Sequence, residues 1–205
     1  MKNNIILELN NITKSYGKPL FRPVSFKLAA GEGLFLAGHN GSGKTTCLDI
    51  IAGITKCDSG SVSCSGKIGY VMQTDGFYGS LSCKDNLLLE AGLCGLSGKR
   101  AKQGVAAVSE LCDLGDFLGR KVSKCSGGMR TRVAIAAALL GDTKLLLLDE
   151  VFSHLDIEAQ DEIKAILASL KQQGIALIVV SHQRDSYDNL CELMITLPNS
   201  VVSEV

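Results

Sequence analysis

Three short apolar runs that do not alternate with polar residues constrain the fold most: Leu34-Phe35-Leu36-Ala37, Leu145-Leu146-Leu147-Leu148 and Ile175-Ala176-Leu177-Ile178-Val179-Val180. A strand with one wet face alternates, whereas unbroken runs of this length suit parallel strands covered on both faces. Each run leads into residues able to do phosphate chemistry. The first meets Gly38, the second Asp149-Glu150 and the third Ser181-His182. Ligands of parallel sheets collect at the carboxyl ends of the strands, so these groups are expected to share one site although they lie far apart in sequence.

Helical patterns fall between the runs. Thr46 to Ala52 follows the first, and Asp156 to Gln172 precedes the third. Asp156 is placed to cap that second helix, with Glu158 in its first turn, Ile163, Ile166, Leu167 and Leu170 on one face and Gly174 as a stop. This alternation predicts an α/β fold. The N-terminal part reads differently: Ile6 to Leu9, Val24 to Leu28 and Ser61 to Cys64 alternate, which predicts a small antiparallel sheet beside the core. Residues 83–140 are expected to form a helical subdomain within one domain spanning 1–205.

The run Gly38-His39-Asn40-Gly41-Ser42-Gly43-Lys44-Thr45, with Thr46 beginning the helix, is a phosphate-binding loop. Its glycines let backbone N–H groups turn around the phosphates, Lys44 reaches the β- and γ-phosphates, and the Thr45 hydroxyl faces Mg²⁺. The helix N-terminus adds a favourable dipole for the anion. Asp149, ending its strand, is suited to orient Mg²⁺, and Glu150 beside it to polarise an attacking water as general base. Ser126-Gly127-Gly128, opening an apolar helix from Met129 to Leu140, combines a serine cap with free N–H groups.

Composition narrows the partners. Lys plus Arg and Asp plus Glu number 21 each, with no block of like charge to make a nucleic-acid footprint. Eight cysteines include no Cys-x-x-Cys pair and no zinc-like spacing, and are read as reduced thiols. Only three apolar residues lie between Asn4 and Glu8, so no secretory leader is expected and the cytosol is the expected compartment. The longest apolar run, Val133 to Leu140, has eight residues, where a membrane helix needs about 18 or more.

With the phosphate loop, Ser126-Gly127-Gly128 and Leu145 to Glu150 in this order, the chain resembles ATP-binding subunits of ABC transporters over nearly its whole length. The resemblance implies a P-loop (RecA-like) core, ATP and Mg²⁺ as ligands, and a dimer in which Ser126, Gly127 and Gly128 close over ATP held by a second copy or a paralogous subunit. It also implies a separate transmembrane subunit, holding the chain at the inner face of the cell membrane. Tyr16 in Lys14-Ser15-Tyr16-Gly17 matches the aromatic that stacks on adenine, and Gln73 the glutamine that touches Mg²⁺ and senses the membrane partner. Asp156 matches an aspartate carried to the dimer interface, and His182 the histidine that contacts the γ-phosphate.

The chain departs from the commonest family pattern in places. Cys125 and Met129 stand where many members have Leu and Gln, Val151-Phe152 replaces Pro-Thr or Pro-Ser, and His154 replaces a small residue. Ser-Gly-Gly-Met is similar to the pattern of drug and ABC-2-type export subunits, which favours export. The short link from Gly60 to Gln73 is shared with metal and haem transport subunits. A soluble ABC ATPase of repair or translation is the other class; such members carry two cassettes or a long coiled coil, and no sustained heptads occur here. An inactive nucleotide-binding regulator is expected to lack Lys44, Glu150 or His182, and all three are present.

Overall fold

A computed structural model describes residues 4–74, 76–153, 155–181 and 189–204. In chain order the strands are β1 (Ile5–Thr13), β2 (Ser15–Tyr16), β3 (Lys18–Pro19), β4 (Val24–Ala29), β5 (Gly33–Gly38), β6 (Ser59–Cys64), β7 (Lys67–Val71), β8 (Thr143–Asp149), β9 (Ala176–Val180), β10 (Leu193–Leu197) and β11 (Val201–Glu204). The α-helices are α1 (Lys44–Ile51), α2 (Cys83–Leu93), α3 (Gly98–Leu111), α4 (Gly127–Leu139) and α5 (Ile157–Gln172).

The main sheet has six strands in the order β11-β10-β5-β9-β8-β7. All are parallel except β11, which joins β10 antiparallel at one edge. The three apolar runs are β5, β8 and β9, side by side at its centre. Their side chains divide strictly by face. Phe35, Leu146, Leu148, Leu177 and Val179 pack into the cluster that holds α4 and α5. Leu34, Leu36, Leu145, Leu147, Ile178 and Val180 pack into the opposite cluster, with α1 and the small sheet. Coverage of both faces is why these strands carry no polar alternation. Each Leu from 145 to 148 is fully buried, worth about 1.5–3 kcal/mol apiece by transfer estimates.

The small sheet is three-stranded and antiparallel, in the order β4-β1-β6, as the alternating segments predict. Helices α2, α3 and α4 supply the helix-rich stretch between 83 and 140. Two helix starts differ from the sequence expectation. α1 begins at Lys44 rather than Thr46, because Gly43, at φ 94°, turns the loop directly into the helix and its carbonyl accepts the Cys47 N–H at 2.8 Å. α4 begins at Gly127 rather than Met129, because the Ser126 cap outweighs the poor helix propensity of two glycines. α5 follows its expected span, with Asp156 as cap and Ile163, Ile166, Leu167 and Leu170 buried.

Candidate functional site

Register places the site before any side chain is considered. Leu36 pairs with Val180, and Val180 with Asp149, so these three residues share one level across the sheet. The phosphate loop leaves β5 just above that level, and Asp149-Glu150 leave β8 beside it. On the far side Val71 pairs with Leu148, so Gln73, two residues on, emerges near Glu150.

The loop is built to turn tightly. Gly41 and Gly43 have φ of 78° and 94°, in the left-handed region, and a Cβ on Gly43 would lie 2.8 Å from Leu20 and Phe21. Lys44 is buried at 7% exposure, and its ammonium donates to the carbonyls of Gly38 at 2.8 Å and His39 at 3.3 Å. A buried cation held by neutral carbonyls is a seat for an anion. Ser42 Oγ is also buried and has no hydrogen-bond partner.

Thr45 joins the loop to the strand end by donating its hydroxyl to Asp149 Oδ2 at 2.9 Å. The other carboxylate oxygen, Oδ1, is buried without a partner. Burial raises the Asp149 carboxyl above its ordinary range, against the lowering effects of the Thr45 hydrogen bond and the Lys44 charge. A buried acceptor with nothing to accept costs about 1–3 kcal/mol. Thr45 Oγ1 and the Asp149 carboxylate are hard oxygen donors, so the residues present fit a Mg²⁺ ion.

Glu150 has a left-handed backbone, φ 53°, a conformation that costs a non-glycine residue on the order of 1 kcal/mol and concentrates at functional sites. Its N–H donates to the Val180 carbonyl at 3.0 Å, and the Ser153 hydroxyl donates to Glu150 Oε2 at 3.2 Å. These contacts fix the backbone and one carboxylate oxygen of Glu150, which lines the cleft above the sheet.

That cleft, about 540 Å³, is lined by Tyr16, Asn40, Gly41, Gly43, Lys44, Thr45, Thr46, Gln73, Asp149 and Glu150. Tyr16 stands on the short β2–β3 hairpin, 66% exposed, its ring 5.5 Å from the Lys14 ammonium. The His39 carbonyl also accepts the Ser42 N–H at 3.1 Å, closing the loop's first turn beside Gly38. Ser126, Gly127 and Gly128 do not line this cleft. They sit at the start of α4, where Ser126 Oγ accepts the Met129 N–H at 3.2 Å. Gly127 lines a second cleft of about 440 Å³, which meets the first at Gln73 and Glu150.

Gly128 is glycine for a packing reason: a Cβ there would lie 2.7 Å from the Ala159 Cβ of α5. Asp156 is exposed and accepts the Ala159 N–H at 2.8 Å as the cap of α5. The capping role therefore holds within the single chain. His182, the expected γ-phosphate contact, and His154 lie outside the described residues.

Two residues of the site escaped the sequence reading. Tyr70 Oη donates to Asp49 Oδ1 at 3.3 Å, and its phenol is held above its ordinary range by burial first and then by the charges of Asp149 and Asp49. It therefore stays a neutral donor beside these carboxylates. The signal available was spacing: Asp49 is four residues after Thr45, one helical turn along the same face.

Comparisons with known proteins identify relatives of the chain. The family described as ABC transporter matches residues 21–153. The linearmycin resistance ATP-binding protein LnrL of Bacillus subtilis is 32% identical over 91% of this chain and 64% of its own length. The O-antigen export system ATP-binding protein RfbB of Klebsiella pneumoniae is 30% identical over 89% of this chain and 74% of its own length. Among solved structures, a dimeric ATP-binding cassette in a post-hydrolysis state with ADP and Pi is 25% identical, with a TM-score of 0.83 over 97% of this chain and 98% of that one. Among the described residues, no helix is long and apolar enough to cross a membrane. Phosphate loop, strand-end carboxylates and matched family together establish that the chain belongs to the ABC transporter family, among its ATP-binding proteins.

Proposed function

We propose that the chain binds and hydrolyses ATP as the energy-coupling subunit of an export-type transporter, working at the inner face of the membrane through a separate transmembrane subunit. The observation that carries this reading is the division of the site. Lys44, Thr45, Gln73, Asp149 and Glu150 converge on one cleft, while the Ser126-Gly127-Gly128 turn, exposed at Ser126 and Gly127, lines no part of it. A second copy is what brings such a turn to the γ-phosphate.

On binding, Lys44 exchanges the Gly38 and His39 carbonyls for phosphate oxygens, and the Ser42 hydroxyl gains an acceptor. Thr45 and Asp149 would hold Mg²⁺, with Gln73 beside them, and the ion when bound would neutralise phosphate charge. Glu150, fixed by its backbone and by Ser153, accepts the proton of the attacking water. Tyr16 offers a face to adenine. ATP binding to the closed dimer far better than to the open chain is the differential affinity that does work on the membrane subunit. Export is favoured by Ser-Gly-Gly-Met and by relatives whose names specify export or resistance.

Glu150→Gln tests the catalytic assignment. The variant is expected to bind ATP with Mg²⁺, to elute as a dimer on size exclusion and to turn over at less than about one hundredth of the normal rate. Chelating Mg²⁺ is expected to abolish turnover in the unaltered chain. Undiminished hydrolysis by Glu150→Gln would overturn the role of Glu150.

A further inference from the structure

Two thiols meet directly behind the Ser-Gly-Gly turn. Cys83 Sγ and Cys125 Sγ are 3.5 Å apart. Cys83 is the first residue of α2 and is fully buried; Cys125 immediately precedes Ser126, is partly exposed and lines the 440 Å³ cleft. The two segments are stitched together by backbone hydrogen bonds. Cys83 N–H donates to Arg120 at 2.9 Å, Lys84 to Leu118 at 2.9 Å, Val122 to Leu81 at 3.0 Å and Ser123 to Gly79 at 3.1 Å. The sulfurs are thus held as neighbours by the fold, which gives their reaction a high effective concentration. A disulfide needs about 2.05 Å, so the two atoms must close by about 1.5 Å between them.

Cys125 Sγ also lies 3.5 Å from the Lys121 carbonyl, as Cys57 and Cys64 face the carbonyls of Gly60 and Gly66, while Cys94 meets the Lys67 ammonium; what sets Cys125 apart is a second sulfur within reach.

From this geometry we infer that Cys83 and Cys125 form a peroxide-sensitive thiol pair, whose oxidation to a disulfide holds the Ser126-Gly127-Gly128 turn back from a partner's ATP. The Cys125 thiol, reachable from the cleft, takes one oxygen from hydrogen peroxide, becoming a sulfenic acid and releasing one water. The Cys83 sulfur then displaces hydroxide from that sulfur. The S–S bond forms, the S–O bond breaks, and the Cys83 proton leaves with the hydroxide as a second water. Two electrons pass from the two thiols to one peroxide. Cys83 is fully buried while Cys125 reaches the cleft, so Cys125 is the sulfur peroxide meets first and Cys83 is left as the resolving group. Closing the bond draws Cys125 toward the buried sulfur, and Ser126 with it, away from the exposed face. This consequence for turnover rests on the proposed role of the turn; the cross-link itself does not.

The test treats the purified full chain with hydrogen peroxide, alkylates free thiols after denaturation and maps the peptides. Cys83 and Cys125 are expected to escape alkylation together as one linked peptide pair, and a dithiol reductant to release both. ATP turnover is expected to fall about tenfold or more and to return on reduction. Cys125→Ser and Cys83→Ala, either of which removes the pair, are expected to keep their turnover through the same treatment. Oxidation of Cys125 with Cys83 still open to alkylation overturns the pairing. A complete cross-link with undiminished turnover overturns its effect on the turn. A reduced chain that hydrolyses no ATP contradicts the proposed function, while the peptide map still decides the thiol pair.

Discussion

Gly128→Ala tests whether the start of α4 is positioned by its contact with α5. The new methyl would lie 2.7 Å from the Ala159 Cβ, about 1 Å inside an ordinary carbon contact of about 3.5–4.0 Å. Both atoms are attached rigidly to helix backbone, so no rotamer relieves the clash and the helices must separate. Overpacking of this kind costs about 1–3 kcal/mol. Helix propensity returns up to about 1 kcal/mol, since Gly128 has helical backbone. The net loss of stability is therefore about 0–2 kcal/mol, read by urea unfolding. Turnover is expected to suffer more, by about a hundredfold, because a shift of about 1 Å in a group that must meet the γ-phosphate acts on the transition state. ATP affinity of the separate chain should stay within about twofold, since Gly128 does not line the Lys44 cleft. Gly127→Ala is the control for stability alone: its methyl would meet only the end of the Leu155 side chain, Cδ2 at 3.1 Å, so the unfolding midpoint should hold. Gly128→Ala combined with Ala159→Gly removes the clash and should restore turnover, with a coupling energy of about 1 kcal/mol or more in the stability cycle. Failure of Ala159→Gly to rescue turnover would refute the packing argument.

Two further outcomes follow from contacts away from the phosphate loop. Burial tends to raise the Glu192 carboxyl, but hydrogen bonds from Lys171 at 2.6 Å and the Gly33 N–H at 2.7 Å outweigh it and leave the group below its ordinary range. Its stabilisation is therefore present above the unfolded value of about 4.3 and is lost as pH falls through the lower folded value. Glu192→Gln should cost about 1 kcal/mol at pH 7, modest because the side chain is 58% exposed, and progressively less as pH falls below the unfolded value of about 4.3; equal unfolding midpoints at pH 7 would contradict this. The 76–81 loop is pinned by Asn86, which accepts the Tyr78 N–H at 2.9 Å and donates to the Tyr78 carbonyl at 3.1 Å, leaving the Tyr78 side chain 66% exposed. If this exposed loop docks the proposed transmembrane subunit, Phe77→Asp with Tyr78→Asp should reduce co-purification of that subunit about tenfold without changing the ATPase rate of the separate chain; unchanged co-purification would contradict docking on this loop.

Much of the fold was legible because burial leaves a direct mark on sequence. Leu145 to Leu148 could be uniformly apolar only in a strand covered on both faces, and the register of β5, β9 and β8 then brings Gly38 and Asp149 to one edge without further information. The antiparallel sheet was legible for the opposite reason, its alternation. What stayed hidden depended on contacts between distant segments. The start of α4 at Gly127 is decided by a serine cap and by Ala159, neither of which a propensity scale weighs. Tyr70 reads as one more apolar strand residue until its hydroxyl is found beside Asp49. The Cys83–Cys125 contact joins positions 42 residues apart with no Cys-x-x-Cys spacing to announce it.

The central claim is that the Ser126-Gly127-Gly128 turn of one copy touches ATP held by another, and photocrosslinking between distinguishable copies tests it most directly. A tagged Lys44→Ala chain, unable to hold ATP at its own loop, is mixed with an untagged Glu150→Gln chain and an ATP analogue carrying a photoreactive group on the γ-phosphate. Label is expected on the tagged chain's peptide containing Ser126 to Met129, and only when the untagged chain is present. Label on that peptide from the tagged chain alone, or label confined to the untagged chain's own phosphate loop, would contradict it.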